Sequence, residues 1–600
     1  MVTMITDHVF YGYARDPFVY GSLALTLGFG TVYYFNRFSV WKTIRTQGIN
    51  SIHSRTKLIH IIFGAFLVFL NVYMWVYLSS SGLPTLTYLG SDFRQSPLTL
   101  TILGLEYSKF NVPGYSFIEE KVQFGSTEDF ECSAVQFNDK MFSSPAVPVD
   151  GDLRRVRNQA FELAKSEYPI AKNCFLDKDD ESEEEILNRK WARFCGSSVW
   201  LSKYEVHFFV NRIVYAHENA RSRPTISLID VQIFDRDWNE LPDFKIPLAD
   251  GTELNFPGLV KIDIDQNPKH KLSVMGPEDP RVVLRKYIND NGELEEEPVI
   301  VFNMRRTEIN WKRAMHFYRP FNGNETIRLT LRDLKPRFRE KNWAPFFDDN
   351  DPDNIYFIYN FNPLRVIKCG LSDGVCDKVT GPSFIDSKAD ESKHVGALRG
   401  GTNLVPIPSD LLPKHLFFRK YWFGIARSHN SDCGCLKEIY RPHAFIISKN
   451  LETGEFTLDY VSSLMDFNVI AEPWSKRQGI CKDGKNVLIP NSIAYWDHVL
   501  KSDSTVKQDF MGITFSEADR TNKIVHIQGF WHHILKALNS KDTGQGFKAI
   551  ANIKEYYAES NTELENELLG RCATSLAEQY CEDTATSQNW IDQSRNFHLI

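Results

Sequence analysis

The chain of 600 residues carries 69 Lys and Arg against 76 Asp and Glu, a formal charge of -7, and 13% aromatic residues, among them 43 Phe. That length exceeds what one ordinary core fills, so a large domain with appendages is expected. The near-balance of charge excludes the broad basic footprint that holds phosphate backbones, so nucleic acid is not an expected partner, while the aromatics suit a pleated sheet or a carbohydrate-facing cleft.

In chain order, residues 1–57 read as a cytosolic tail, within which 18–35, "FVYGSLALTLGFGTVYYF", is a possible second apolar span at the short limit for crossing a bilayer. Residues 58–78, "LIHIIFGAFLVFLNVYMWVYL", carry no formal charge and are long enough to cross as a helix. Arg37, Lys42, Arg45, Arg55 and Lys57 precede them, and no Lys or Arg follows until Arg94. The preceding side is therefore predicted cytosolic and the bulk of the chain luminal, the layout of a single-pass type II membrane protein. A cleaved signal peptide fits poorly, because the apolar stretch is too long and starts too far from Met1.

Residues 79–200 read as a stem and a mixed luminal region. "RVRNQAFELAKSEYP" has helical spacing, and the acidic run Asp177 to Glu185 reads as a solvated loop or helix start, without the interleaved Gly of a calcium loop. From 201 to 530 the texture changes to short apolar or alternating runs broken by turn clusters: "YEVHFFVNRIVYA", "TISLIDVQIFD", "PVIVFNMRR", "NIYFIYNFNPLRVIKC" and "FFRKYWFGIAR". "HAFIISKNLETGEFTLDYVSS" reads as a hairpin. No long amphipathic helices separate these strands, so a doubly wound parallel sheet is poorly supported and a sandwich, barrel or propeller is expected. Residues 531–600 carry helical spacing in "HHILKALN" and "ELENELLGRCATSLAEQY".

Ten cysteines, Cys132, Cys174, Cys195, Cys369, Cys376, Cys433, Cys435, Cys481, Cys572 and Cys581, could pair in an oxidising lumen, with connectivity not readable. Cys433 and Cys435 lack the spacing and the second pair of a zinc site. One glycosylation sequon begins at Asn324.

Glu278 and Asp279 stand side by side before Pro280 and Arg281 in a stretch that otherwise reads as strand. A turn neutralised by its own arginine would explain the group, but a proton-transfer group acting on sugars is nearly always a carboxylate, tuned by nearby like charge and an adjacent cation. Asp263 and Asp265 form a DxD pair of the kind that holds a divalent metal on a donor diphosphate, and equally the outward face of an alternating strand. Further polar clusters are Asn303, Arg305 and Arg306; Lys341, Asn342 and Trp343; Arg399 with Gly400 and Gly401; Arg427 and His429; and Arg441 and His443.

The order "GPEDPR", "EKNWAPF", "RGGTNLVPI", "SHN" with "YRPHAFIIS", and "ITFSEAD" resembles the fungal β-mannosyltransferase family, which adds β-1,2-linked mannose to cell-wall mannans. More distantly these motifs resemble the β-mannoside phosphorylases, which are five-bladed β-propellers. The resemblance covers the chain from about residue 90 onward. It implies a mainly β fold with a five-bladed propeller catalytic domain over 201–530, and inverting transfer from GDP-mannose to a mannan or mannooligosaccharide acceptor in the Golgi lumen.

By that resemblance Asp279 is the general base that takes the acceptor proton, directly or through a sugar hydroxyl, with Glu278 and Arg281 positioning it. Arg305, Arg306, Lys341, Arg399 and His429 are similar to a phosphate clamp and would hold the leaving diphosphate, with Asn342 beside them and no metal cofactor required. Asp519 would hold the donor mannose by its hydroxyls, and Trp343 would stack on a sugar face. Nothing in the motifs marks a guanosine pocket. Three other readings are a manganese-dependent transferase using Asp263 and Asp265, a β-mannoside phosphorylase or hydrolase, and a non-catalytic mannan-binding membrane protein.

Overall fold

The computed structural model describes residues 107–115, 136–166, 175, 181–219, 224–266, 274–323, 325–332, 338–382, 398–431, 437–474, 484–503, 505–542, 573, 574, 577–583 and 586. All lie in one of the two compact units into which the chain divides, Ser96–Ile600. The anchor expected at 58–78, the apolar stretch at 18–35, Cys433 and Cys435, and the sequon at Asn324 fall outside the described residues. Within them, no helix is long and apolar enough to cross a membrane.

The fold is mainly β, with few helices. Successive antiparallel groups follow one another along the chain. Trp191–Leu201, Val206–Tyr215, Ile226–Phe234 and Gly258–Leu259 form the first, and Glu278–Ile288, Leu294–Arg306, Lys312–Tyr318 and Thr326–Arg328 the second. Ala344–Phe347, Asn354–Phe361, Leu364–Gly370 and Val375–Thr380 form the third, with Thr330–Leu331 added in parallel at its edge. The last two groups share one eleven-stranded sheet. Arg419–Asn430, Glu438–Asn450 and Phe456–Ser462 lie in one part of it, and Lys485–Leu500, Val506–Glu517 and Thr521–Gln528 in the other. The hairpin of Ser108–Tyr115 and Gln136–Ser143 joins them, pairing with Phe456–Ser462 on one side and Thr521–Gln528 on the other. Two edges that would otherwise be open are thereby covered.

Sequence pattern accounts for these elements. "VHFFVNRIVY" is buried at every position, as a strand covered on both faces must be, and so reads as a near-continuous apolar run. "KNLETGE" closes the hairpin between Glu438–Asn450 and Phe456–Ser462. The acidic run feeds a helix, Glu183–Lys190, whose N-cap Ser182 and Glu185 exchange bonds in a capping box, with Glu183 to Glu185 at the positive end of its dipole. The helix Leu153–Ser166 lays Val156, Ala160 and Ala164 on the first group, near Trp191, Ile213 and Leu228. After the last strand, the helix Phe530–Asp542 buries Phe530, Trp531, Ile534 and Leu538. Of the cysteines, Cys369 and Cys376 are bonded across two paired strands, and Cys195 is free and buried.

The groups are stitched together by hydrogen bonds from one group to another. Ser198 N donates to Ser492 Oγ at 2.7 Å and Val282 N to Ser197 Oγ at 2.9 Å. Arg281 Nε donates to Gly401 O at 2.7 Å, and Leu404 N to Pro345 O at 3.0 Å. Asn403 closes onto the last group, its Oδ1 accepting from Ile493 N at 3.0 Å. Gly400 and Gly401 belong to this packing rather than to an anion cradle. A Cβ at Gly400 would stand 2.1 Å from Asn342 O, and one at Gly401 2.2 Å from Ile425 O.

Burial depresses the pKa of several histidines among the described residues. His207 lies between Trp200 and Trp238 with neither ring nitrogen hydrogen-bonded. Burial lowers its pKa to about 3, lowers that of His316 to about 3, and lowers those of His443, His498 and His526 to about 4. Each is neutral when folded and titrates near 6.5 when unfolded, so the stability these groups contribute is complete above pH 6.5 and is lost as the pH falls toward 4. Each proton taken up on unfolding contributes about 1.4 kcal/mol per pH unit. Denaturant melts from pH 7 to 4.5 are expected to show steeply falling stability with uptake of several protons. His207→Phe, which keeps the aromatic stack and removes one titrating group, is expected to flatten that slope; an unchanged slope would show that His207 does not contribute.

Candidate active site

The strand Glu278–Ile288 begins with an irregularity. Glu278 pairs with Asn303 but Arg281 pairs with Val301, so one extra residue is inserted between them. Asp279 sits in that bulge with φ 53°, in the left-handed region that Asp tolerates better than most residues, at a cost of about 1 kcal/mol or more. A bulge re-aims a side chain out of the ladder. Here it lets two adjacent carboxylates reach one guanidinium instead of pointing to opposite faces.

That guanidinium belongs to Arg212, in the neighbouring group. Its Nη2 donates to Glu278 Oε2 at 2.9 Å, its Nη1 to Asp279 Oδ1 at 2.8 Å, and its Nε to Ser227 Oγ at 3.0 Å. Arg212 also lies over the Phe194 ring. The other oxygen of Glu278 accepts from Arg313 Nη2. Cations and carboxylates thus alternate along Arg313, Glu278, Arg212 and Asp279. Glu278 is buried, whereas Asp279 keeps 31% of its side chain exposed. Asn303 Nδ2 donates to Glu278 O at 3.1 Å and approaches Asp279 Oδ2 at 3.5 Å. Cys195 Sγ, 3.9 Å from Asp279 Oδ1, is a protonated donor, because burial and the neighbouring carboxylate push its thiol up to about 12.

Burial alone would raise the pKa of Asp279, but Arg212, Lys341, Arg427 and Arg281 together outweigh it and hold the carboxyl well below the usual range. Asp279 is ionised at any physiological pH. Lys341 is exposed and lies within electrostatic reach of Asp279, Glu278, Arg427 and Arg313. Arg427 Nη2 donates to Asn342 Oδ1 at 2.7 Å, and Arg427 is the register partner of Arg399. His429 stacks on Tyr440 with ring centroids 4.5 Å apart. Burial and then the cations Arg399, Arg427 and Lys341 lower the His429 pKa against the pull of Glu438. It is therefore a neutral hydrogen-bonding group here rather than one of the cations, and its Nε2 is buried without a partner. Asp519 sits in the tight turn between Val506–Glu517 and Thr521–Gln528 with φ 45° and acts electrostatically on Arg212, Cys195 and Tyr440.

Most residues expected from sequence therefore converge: Glu278, Asp279, Arg281, Lys341, Asn342, Arg399, His429 and Asp519. Arg305 shares their side, within reach of Glu278. Two do not belong. Trp343 is 5% exposed and packs against Phe357 and Tyr359 in the core, so it has no face to offer a sugar. Arg306, one residue after Arg305 and so on the opposite strand face, donates to Asp263 O at 2.9 Å and pairs with Asp265. Asp265 also accepts from Thr307 N and Oγ1 at 2.6 and 2.7 Å. A cation on the Asp263–Asp265 pair would have to displace Arg306 and this cap, so those residues do not fit a metal site.

Arg212, Arg313, Tyr440 and Cys195 complete the cluster without a sequence signal of their own, and Arg427 and Asn303 carried no assigned role. A small cleft is lined by the apolar residues Ala160, Leu163, Phe175, Ile262, Ile264 and Pro277.

Comparison with known proteins places the chain in a family. The model described as β-mannosyltransferases matches residues 131–322 and 317–580. β-Mannosyltransferase 3 of Candida albicans is 43% identical over 496 residues, 82% of this chain and 84% of that protein. β-Mannosyltransferase 4 of Komagataella phaffii is 31% identical over 464 residues, 76% of this chain and 82% of that protein. Among solved structures, a mannose phosphorylase from Leishmania mexicana in complex with phosphate is similar at a TM-score of 0.29 and 10% identity, over 62% of this chain and 93% of that one.

Arg212→Met removes the nearest cation from Asp279, so the carboxyl pKa is expected to rise and the acid limb of the pH–rate profile to move to higher pH. Arg212→Lys, which keeps a charge but not the fork, is expected to move it less. Profiles with the same acid limb in all three proteins would show that Arg212 does not set the ionisation of Asp279.

Proposed function

The chain belongs to the β-mannosyltransferase family, and from that premise we propose that this glycosyltransferase moves mannose, with inversion, from GDP-mannose to cell-wall mannan in β-1,2 linkage. The observation that carries the reading is the setting of Asp279: a half-buried, ionised carboxylate held by Arg212 and within electrostatic reach of Lys341 and Arg427. A base and an anion cradle in one cleft are what transfer from a sugar diphosphate needs.

In this reading the bond between the anomeric carbon and the phosphate oxygen breaks as the acceptor oxygen bonds to that carbon from the opposite face. The acceptor's proton passes to Asp279, directly or through a sugar hydroxyl, and the electron pair leaves with the diphosphate. Lys341, Arg427 and Arg399 stabilise the developing charge, and His429 donates a hydrogen bond. These cations take the part a divalent metal plays elsewhere, so no metal cofactor is required. Asp519, beside Arg212 on its turn, holds the mannose hydroxyls.

Two wider features belong to the same proposal. The scaffold is a five-bladed propeller, supported by the five successive antiparallel groups and by the hydrogen bonds that link one group to another. The catalytic residues face the Golgi lumen behind an anchor at 58–78, supported by the basic residues ahead of that stretch.

Full-length protein in detergent, given GDP-mannose and a mannooligosaccharide, is expected to form a β-1,2-linked product, with a rate that survives chelator. Asp279→Asn is expected to lower the rate by about a thousandfold while the melting temperature stays near that of the unaltered protein. Substantial transfer by Asp279→Asn would remove Asp279 from the role of base. Release of mannose 1-phosphate from β-mannobiose and phosphate, with no use of GDP-mannose, would replace the transferase reading with a phosphorylase.

A further inference from the structure

The cations near Asp279 do not end at Lys341. The segment from Phe338 to Lys341 runs alongside the strand Lys312–Tyr318: Arg313 N donates to Phe338 O at 3.2 Å and Glu340 N to Arg313 O at 2.9 Å. Glu340 turns inward, where Tyr359 Oη donates to its carboxylate at 3.0 Å. Alternation then puts Arg339 and Lys341 on the other side of the segment, roughly 6.6 Å apart along the backbone. Across the adjoining ladder, Arg305 is the register partner of Arg313 and shares a strand face with Asn303, the residue that approaches Asp279.

Charge in this corner is unbalanced. Arg305 lies within electrostatic reach of Arg313 and Arg339, and the carboxylate near it is Glu278, already divided between Arg212 and Arg313. Neither Arg305, Arg339 nor Lys341 makes an ion pair among the described residues. The Nε atoms of Arg305 and Arg313 are buried with no hydrogen-bond partner. Crowded guanidinium groups with unmet donors carry a cost in repulsion and desolvation that an anion would relieve.

We infer that Arg305, Arg313 and Arg339 form a second phosphate subsite beside Lys341, so that the cleft is built for a diphosphate rather than for orthophosphate. The inference rests on the proposed donor chemistry and extends it. Lys341 and Arg427 face the phosphate bonded to the sugar, and the three arginines take the next phosphate along. Bidentate guanidinium contacts suit that role better than a single ammonium does. Orthophosphate fills the Lys341–Arg427 side alone, whereas a diphosphate spans both.

Calorimetric titration of the full-length protein in detergent with orthophosphate, inorganic pyrophosphate and GDP tests this. Arg339→Gln, at an exposed position where folding is not at stake, and Arg305→Gln are each expected to weaken pyrophosphate and GDP about tenfold while orthophosphate changes less than about twofold. Arg306→Gln, on the opposite strand face, is expected to leave all three unchanged. Parallel weakening of orthophosphate and pyrophosphate, no weakening of either, or no pyrophosphate binding to the unaltered protein would each overturn the subsite. A GDP affinity no better than that of pyrophosphate would count against the nucleotide donor, and the pyrophosphate comparison would still decide the subsite.

Discussion

The start of the strand Glu278–Ile288 depends on one guanidinium: Arg212 forks between Glu278 and Asp279 and gives each of these adjacent carboxylates a donor. Removing a single charged side chain from water is expensive, and two like charges on consecutive residues repel. Arg212 places one donor on each, holds itself by Ser227, and is raised in pKa because Asp279 and Glu278 more than offset its burial. Arg313 then caps the far oxygen of Glu278, leaving the partly exposed Asp279 at the end of the chain of charges. Without the bulge at Asp279 that fork could not close, since alternation would send the two side chains to opposite faces of the strand. A local backbone cost at one residue is offset by an ionic chain reaching across two strand groups.

The same constraint explains why the contacts between strand groups are polar. Ser197, Asn403 and Ser492 are fully or almost fully buried, yet the side-chain oxygen of each accepts from a backbone N–H of a neighbouring group. Buried polar groups of this kind are tolerated only when satisfied, and satisfied ones fix the relative register of the parts they join. Arg281 belongs to this circuit more than to the cleft. Its Nε and Nη1 donate to the backbone carbonyls of Gly401 and Pro280, so it anchors the bulge rather than binding substrate directly.

Much of the fold was legible because it rests on local pattern: the alternating runs, the turn cluster of "KNLETGE", and the helical spacing of "RVRNQAFELAKSEYP" each mark an element by spacing alone. Half of the site was legible for a different reason, since its residues sit in motifs that resemble a known family. Arg212 was invisible because, inside "VHFFVNRIVY", a lone arginine in an apolar strand carries no local sign that two carboxylates lie opposite it across a sheet boundary. Arg305 and Arg306 looked equivalent in sequence, and strand alternation separates them, one toward Glu278 and the other toward Asp265. Trp343 misled because an aromatic beside Lys341 and Asn342 suits a sugar platform, whereas the pleat turns it into the core with Phe357 and Tyr359.

Electrostatic linkage ties the two halves of the proposed reaction together. Lys341 and Arg427, two of the cations that hold Asp279 ionised, are among those that would face the diphosphate, so an anion there offsets their field and must strengthen Asp279 as a base. Linkage is reciprocal: a proton on Asp279 must then tighten the hold on the anion by the same factor. In the proposed sequence the base is weak until the donor arrives, which suppresses proton transfer in a half-filled site. Immediately after transfer, with Asp279 protonated and the diphosphate in place, the cleft binds its leaving group most tightly. Loss of that proton to solvent through the partly exposed face of Asp279 weakens the grip, and so couples release of the diphosphate to the return of the base.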